Sequence, residues 1–76
     1  MSLNDRTIIY PDRVMHFAGG RPGRFELIST DAALEWAADH DIAVECVNPQ
    51  GAATIRLYEF APTTEIQYLT VRLRWH

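Results

Sequence analysis

Arginine and tyrosine side chains recur near the C-terminus of the chain at spacings that could build one binding surface. Arg56 and Tyr58 are two positions apart, and Tyr68, Arg72 and Arg74 are separated by even numbers of positions. Alternate residues of a β-strand point to the same side of a sheet, so each set shares a face if its segment is a strand. Arginine and tyrosine are enriched in protein interfaces. We therefore predict a partner-binding sheet face made of Arg56, Tyr58, Tyr68, Arg72 and Arg74.

A second candidate surface is acidic. The segment from Asp31 to Glu45 contains five acids and no base, and all seven basic residues of the chain are arginines outside it. The segregated charge predicts one negative surface and one arginine-rich surface. A negative band suits a basic partner protein, and an ordinary solvated helix face is the alternative. The predicted acidic partner-binding band consists of Asp31, Glu35, Asp39, Asp41 and Glu45.

Residues with catalytic or metal-binding chemistry are sparse. Asp39, His40 and Asp41 are adjacent, and neighbouring helical side chains point roughly 100° apart, so they do not converge on one ion. The single cysteine, Cys46, is predicted to face inward as a small buried hydrophobe. The chain carries no phosphate-binding loop, nucleophile elbow or metal-spaced cysteine pair. We predict no catalytic residue, no metal and no cofactor, with Cys46 or His40 as the candidates if the chain is an enzyme subunit.

Turn signals divide the chain into the elements that must position these side chains. The segments with alternating apolar residues, bounded by glycine, proline or asparagine, are predicted to be strands at 7–10, 14–18, 25–29, 42–47, 54–60 and 67–75. A five-residue loop at 19–23 closes a hairpin. Asn48-Pro49-Gln50-Gly51 fits a type I turn.

One helix is predicted, from Asp31 to about His40. Ser29 or Thr30 can cap its free N–H groups, and Asp31 suits the positive end of the helix dipole. Ala33, Leu34 and Ala37 fall on one face at helical spacing, and their small size lets the helix lie close to a sheet.

These elements predict an α+β fold in a single domain spanning residues 1–76. We expect an antiparallel-rich sheet of about five strands with one helix packed on one face, in ββαββ order, with the first strand interrupted at Pro11-Asp12. A chain this short has a thin core. Several strands are apolar on both faces, so a homodimer is an expected possibility.

Composition bounds the function. The N-terminus has no signal-peptide pattern, no apolar run reaches the ~20 residues of a membrane span, and the lone cysteine suits a reducing compartment, so we predict a cytoplasmic protein. The prediction is a non-enzymatic protein-binding module, an accessory or inhibitor protein of phage or bacterial type. A nucleic-acid-binding domain using the arginine–tyrosine face is the alternative, which the net charge of −3 disfavours. A small enzyme subunit is the third possibility.

Overall fold

The computed structural model describes residues 5–48 and 55–75, which form one antiparallel sheet and two helices. The elements are β1 (Arg6–Ile9), β2 (Arg13–Ala18), β3 (Arg21–Leu27), α1 (Thr30–Asp39), β4 (Val44–Cys46), β5 (Tyr58–Phe60) and α2 (Glu65–Trp75). The strand order across the sheet is β3-β2-β1-β5-β4, with every neighbouring pair antiparallel. The predicted α+β class and the five-stranded antiparallel sheet are confirmed.

The β2–β3 hairpin has a tighter turn than the sequence predicted. Gly19 and Gly20 alone connect the strands, with φ of 61° and 81°. Both values lie in the left-handed region that glycine adopts without steric cost, and consecutive positive φ angles match the right-handed twist of a hairpin. The register shifts between Met15 and Phe17, which marks a bulge. Pro22 is tolerated in β3 because this strand lies at the sheet edge.

Helix α1 is close to its predicted extent. The Ser29 hydroxyl caps it by accepting a hydrogen bond of 3.2 Å from the Ala32 N–H, and His40 stands at its C-terminal cap. Ala33 and Ala37 are its buried residues, as the helical spacing predicted. The small side chains bring the helix backbone close to the sheet.

The prediction of a strand at 67–75 is wrong, because this segment is helix α2. The Thr64 hydroxyl accepts a hydrogen bond from the Gln67 N–H at 3.2 Å, and the Thr64 carbonyl accepts one from the Tyr68 N–H at 3.0 Å. These bonds satisfy donors at the start of a helix. The segment is compatible with a period of two, but its buried residues, Val71 and Trp75, are four positions apart. The sheet is therefore covered by two helices rather than one.

The strands on either side of residues 49–54 are shorter than predicted. β4 covers Val44–Cys46 rather than 42–47. β5 covers Tyr58–Phe60 of the predicted 54–60, and residue 54 of that range lies outside the described part of the chain. The Asn48 side chain positions the segment just before β5, because its Oδ1 accepts a hydrogen bond of 2.9 Å from the Leu57 N–H. Of the predicted turn at 48–51, residues 49–51 lie outside the described part of the chain.

The core lies between the sheet and the helices. Its buried members are Ile9, Val14, Ala33, Ala37, Ile42, Phe60, Val71 and Trp75. Trp36 and Phe60 complete an aromatic cluster around Trp75, with ring centroids 4.7 Å and 4.9 Å from the Trp75 ring. Both helices contribute to this one cluster, so both lie on the same side of the sheet. Neither α1 nor α2 is long and apolar enough to cross a membrane.

Candidate functional site: the open face of the sheet

The side of the sheet opposite the helices, called the open face below, is formed by the residues that alternate with the core positions. Ile9 and Val14 belong to the core. Ile8 and its cross-strand partner Met15 therefore point to the other side. The same register extends this orientation across the sheet. The open face includes Arg6, Ile8, Arg13, Met15, Phe17, Phe25, Leu27, Glu45 and Glu59.

Large apolar side chains occupy the β2–β3 half of the open face. Phe25 is 53% exposed and Leu27 is 70% exposed, although both lie on a regular strand. Phe25 is directly opposite Met15 across the strand pair, so the apolar positions are contiguous. Contiguous exposed apolar patches on a soluble domain mark interaction sites.

Ile8 lies at the centre of the open face and is only 7% exposed. Its strand, β1, is the middle strand of the sheet. Its cross-strand partners are Met15 and Glu59, which flank it on the open face. The centre of this face is thus packed by the chain's own side chains, while its β3 edge remains open.

A groove of about 300 Å³ crosses the open face beside Ile8. This volume is at the lower end of the ~300–1,000 Å³ range of ligand pockets. Gly20 of the hairpin turn forms part of its wall, and most of its lining is apolar. The lining residues are Arg6, Ile8, Tyr10, Phe17, Gly20, Val47 and Leu57.

The charges near the apolar patch are paired within the chain. The Arg6 guanidinium donates two hydrogen bonds of 2.8 Å to the Glu59 carboxylate, which raises the pKa of Arg6. Arg13 donates two bonds of 3.1 Å to Asp12 and thereby lowers the pKa of that carboxyl. The Arg13 guanidinium also lies 5.2 Å from the centre of the Phe25 ring. A partner that covers this face would therefore leave neither guanidinium group buried without a carboxylate partner.

Glu45 is the exception to this pairing. It lies directly opposite Glu59 on the neighbouring strand, and like charges at such positions repel. Glu59 is engaged by Arg6, whereas Glu45 is exposed and takes part in none of the ion pairs among the described residues. The β4 edge of the open face therefore carries an uncompensated negative charge.

The predicted arginine–tyrosine sheet face is not formed, because α2 is a helix. Arg56 precedes β5 and is exposed, while Tyr58 packs against the core. Arg74 is bound to Glu26 through hydrogen bonds of 3.1 and 3.3 Å. Only Tyr68 and Arg72 come together, one turn apart on α2. A partner-binding role for these five residues stays a prediction.

A small cavity is lined in part by Tyr68. The Tyr68 hydroxyl donates a hydrogen bond of 3.0 Å to the Asp5 carboxylate, and Thr7 Oγ1 lies 3.4 Å from Nδ1 of the buried His16. Burial, with the bond to Asp5 and the charge of Asp5, raises the pKa of Tyr68, while Arg72 lowers it in part. The cavity holds about 30 Å³, the space of roughly one water molecule. It is too small for a substrate.

The predicted acidic band is divided between two sides of the molecule. Asp31, Glu35 and Asp39 are exposed along the outer side of α1, opposite its buried alanines. Asp41 follows the helix with a φ of 59°, and its carbonyl accepts a hydrogen bond of 3.0 Å from the Gln67 amide. Glu45 is on the open face, on the far side of the sheet. Among the described residues none of these five acids forms an ion pair.

The two candidates for catalysis, Cys46 and His40, make ordinary structural contacts. Cys46 is half-buried, with its sulfur 3.8 Å from Oδ1 of Asn48. His40 stacks on the Trp36 ring at 4.3 Å, and its Nδ1 lies 2.8 Å from the Trp36 carbonyl oxygen. Within residues 5–48 and 55–75, no three His, Cys, Asp or Glu side chains are placed to share a metal ion.

Sequence reasoning did not select the open face as a site. The signal was present as apolar residues on both faces of the early strands: Ile8 beside Ile9, and Met15 and Phe17 beside Val14. A strand with one solvated face alternates apolar and polar residues. The departure from that alternation indicated self-association in general terms but not which surface would be left uncovered.

No protein-family model, curated protein or solved structure matches the chain.

Proposed function

We propose that this protein is a small non-enzymatic protein-binding module that docks onto another protein through the open face of its sheet. The observation that carries the proposal is the exposure of Phe25 and Leu27 beside half-buried Met15 on a regular antiparallel sheet. Removing apolar surface from water is favourable by about 25 cal/mol per Å², so covering these side chains drives association. Strands and hairpins hold them in place before binding, which limits the entropy lost on docking.

The chemistry of the open face defines its partner. The groove beside Ile8 takes a large apolar side chain, since its lining is mainly apolar and its volume is about 300 Å³. The paired charges of Arg6 and Arg13 need no counter-charge from the partner. Glu45 does, so a basic side chain is expected opposite the β4 edge. The partner is thus a protein segment with an apolar anchor and a neighbouring arginine or lysine.

This mode of action fits an accessory or inhibitor role. A module of this kind acts by occupying a partner's surface, and the tight packing of aromatic anchors supplies most of the binding energy in such contacts. The acidic outer side of α1 lies on the other side of the molecule and remains free in the complex. The alternative of nucleic-acid binding loses the arrangement on which it rested, because Arg56 and Arg74 do not share a sheet face.

A library of random peptides displayed on phage tests the proposal with a defined probe. We expect the immobilised protein to enrich peptides that combine large apolar residues with arginine or lysine. Phe25→Glu and Leu27→Glu should each weaken binding about tenfold or more, since either places a charge in the apolar contact. The same selected peptides should compete with any protein that the wild type captures from a cell lysate.

Leu73→Glu is the matched control, because Leu73 is 87% exposed on α2 and the substitution has the same chemistry. It should leave peptide binding unchanged. Failure to enrich any peptide, or equal loss of binding in Leu73→Glu and Leu27→Glu, would contradict the proposal. Enrichment of peptides without basic residues would remove the assigned role of Glu45.

A further inference from the structure

Helix α2 carries a second apolar surface that the core does not use. Ile66 is 78% exposed, Leu69 is 44% exposed and Leu73 is 87% exposed. At about 100° per residue these three side chains form one stripe, roughly 180° around the helix axis from Val71 and Trp75. A surface helix normally has polar residues opposite its buried face. The α2 stripe, defined as Ile66, Leu69 and Leu73, is therefore an unpartnered packing surface.

The charges beside the α2 stripe are arranged with opposite signs at its two ends. Glu65 lies in the first turn and Arg72 in the last, both on the same flank of the stripe. The ion pairs among the described residues use Arg6, Arg13 and Arg74, so neither Glu65 nor Arg72 has a charged partner there. A cleft of about 190 Å³ lies along this flank, lined by Glu65, Tyr68, Leu69 and Arg72.

We propose that the α2 stripe binds the α2 stripe of a second copy of this chain, with the two helices antiparallel. A two-fold axis near Leu69 would pack each stripe against its own image, so the interface is self-complementary. It would also bring Glu65 of each copy towards Arg72 of the other. In a parallel arrangement Glu65 of one copy and Arg72 of the other would lie at opposite ends and on opposite flanks of the interface, so neither would gain a charged partner. Charge complementarity therefore selects the antiparallel pair of identical chains.

The size of the helix sets the strength of this dimer. Eleven residues span about 16 Å at ~1.5 Å per residue, which is short for an interface. The buried area falls below the ~800 Å² per partner of a standard interface, so the dimer is reversible and concentration-dependent.

Self-association through α2 would leave the open face free. The α2 stripe points away from the sheet, and the open face lies on the far side of the sheet. A dimer would present two open faces in opposite directions and could bind a partner with two copies of its motif more tightly than a monomer does. The inference does not depend on the proposed function, because the two surfaces share no residue.

Sedimentation velocity over a wide range of protein concentration tests the dimer. The mass should rise with concentration from 8.7 kDa towards twice that value. Leu73→Glu and Ile66→Glu should each weaken dimerisation about tenfold or more, because the introduced carboxylates would face apolar side chains. Leu27→Glu is the control and should dimerise as the wild type does. Circular dichroism establishes that each variant is folded.

A charge exchange tests the antiparallel geometry. Glu65→Arg and Arg72→Glu should each weaken dimerisation. In a dimer of the first variant, arginine would meet arginine at each 65–72 contact, and in a dimer of the second variant glutamate would meet glutamate. An equimolar mixture of the two variants should dimerise again as a heterodimer, because both contacts then pair opposite charges. A wild type that stays at 8.7 kDa at every concentration would overturn the inference. So would a dimer disrupted by Leu27→Glu but not by Leu73→Glu, or mixed variants that fail to associate.

Discussion

Trp75 donates its indole N–H to the carboxylate of Glu26 at a distance of 3.0 Å, which joins the last turn of α2 to the edge strand β3. The same carboxylate accepts two hydrogen bonds from Arg74, whose guanidinium lies 5.0 Å from the Trp75 ring centre. Glu26 is opposite Val14 in the sheet, and so on the helix side. One carboxylate therefore ties the C-terminal end of α2 to the edge of the sheet.

Replacing Trp75 should reveal how strongly α2 depends on this contact. Trp75 is 2% exposed, so we expect Trp75→Ala to lower the free energy of unfolding by about 3–5 kcal/mol. Trp75→Phe keeps most of the buried ring and loses the hydrogen bond, which costs about 1–2 kcal/mol. Urea denaturation of dilute protein measures both. Leu73→Ala, at an 87% exposed site, should change stability by less than about 0.5 kcal/mol. Equal effects at positions 73 and 75 would mean that α2 packs in a different rotation.

The hairpin turn gives a prediction about backbone conformation. Gly20 has a φ of 81° with open space around the position of a Cβ. Gly20→Ala should therefore destabilise the fold by about 1 kcal/mol through backbone strain alone. Gly19→Asn should be tolerated, because asparagine followed by glycine is the preferred pair for a two-residue turn with positive φ angles. Thermal unfolding of the two variants compares them. A Gly20→Ala variant as stable as the wild type would contradict the turn conformation.

The ionisation of Tyr68 should depend on Asp5. Burial, the hydrogen bond to Asp5 and the charge of Asp5 raise the pKa of Tyr68 above its ordinary 10.0. The folded protein thus holds the phenolic proton more tightly than the unfolded chain does. The stabilisation is fully present below the unfolded pKa of about 10 and is lost as the pH rises through the raised folded pKa. Asp5→Asn removes the carboxylate charge and should lower the pKa of Tyr68.

Alkaline titration followed by the ultraviolet absorbance of tyrosinate measures this change, and Tyr68→Phe identifies which transition belongs to Tyr68. An Asp5→Asn variant in which the Tyr68 transition stays at the wild-type pH or moves higher would contradict the assigned contact.

The early part of the chain could be predicted from sequence because its local signals agree. Ser29 in front of Ala33 and Ala37 predicts a capped helix. The glycine-rich segment 19–23 predicts a hairpin, although Gly19 and Gly20 alone form its turn. The segment 67–75 could not be resolved in this way. Its apolar residues satisfy a period of two and, at Ile66, Leu69 and Leu73, a helical period as well. Two contacts favour the helix: Thr64 caps its first turn, and the Glu26 carboxylate on β3 binds its last turn. The second contact is visible only in three dimensions.

The same ambiguity between strand and helix explains why the sequence did not identify the open face. Because residues 67–75 belong to helix α2, Tyr68, Arg72 and Arg74 are not part of the sheet. Among the described residues, the open face then consists of alternate residues of all five strands. Ile8, Met15 and Phe25 could be assigned to that face only after the register and the position of both helices were known.

The methyl group of Met15 offers the most direct measurement on the open face. The chain has two methionines, and Met15 lies between Ile8 and Phe25 on the open face. With carbon-13-labelled methionine methyl groups, we expect addition of a selected peptide to shift the Met15 resonance until the site is saturated, and Phe25→Glu to abolish the shift. A peptide whose binding is proved by the change in sedimenting mass, yet which leaves the Met15 resonance in place, would contradict docking on the open face.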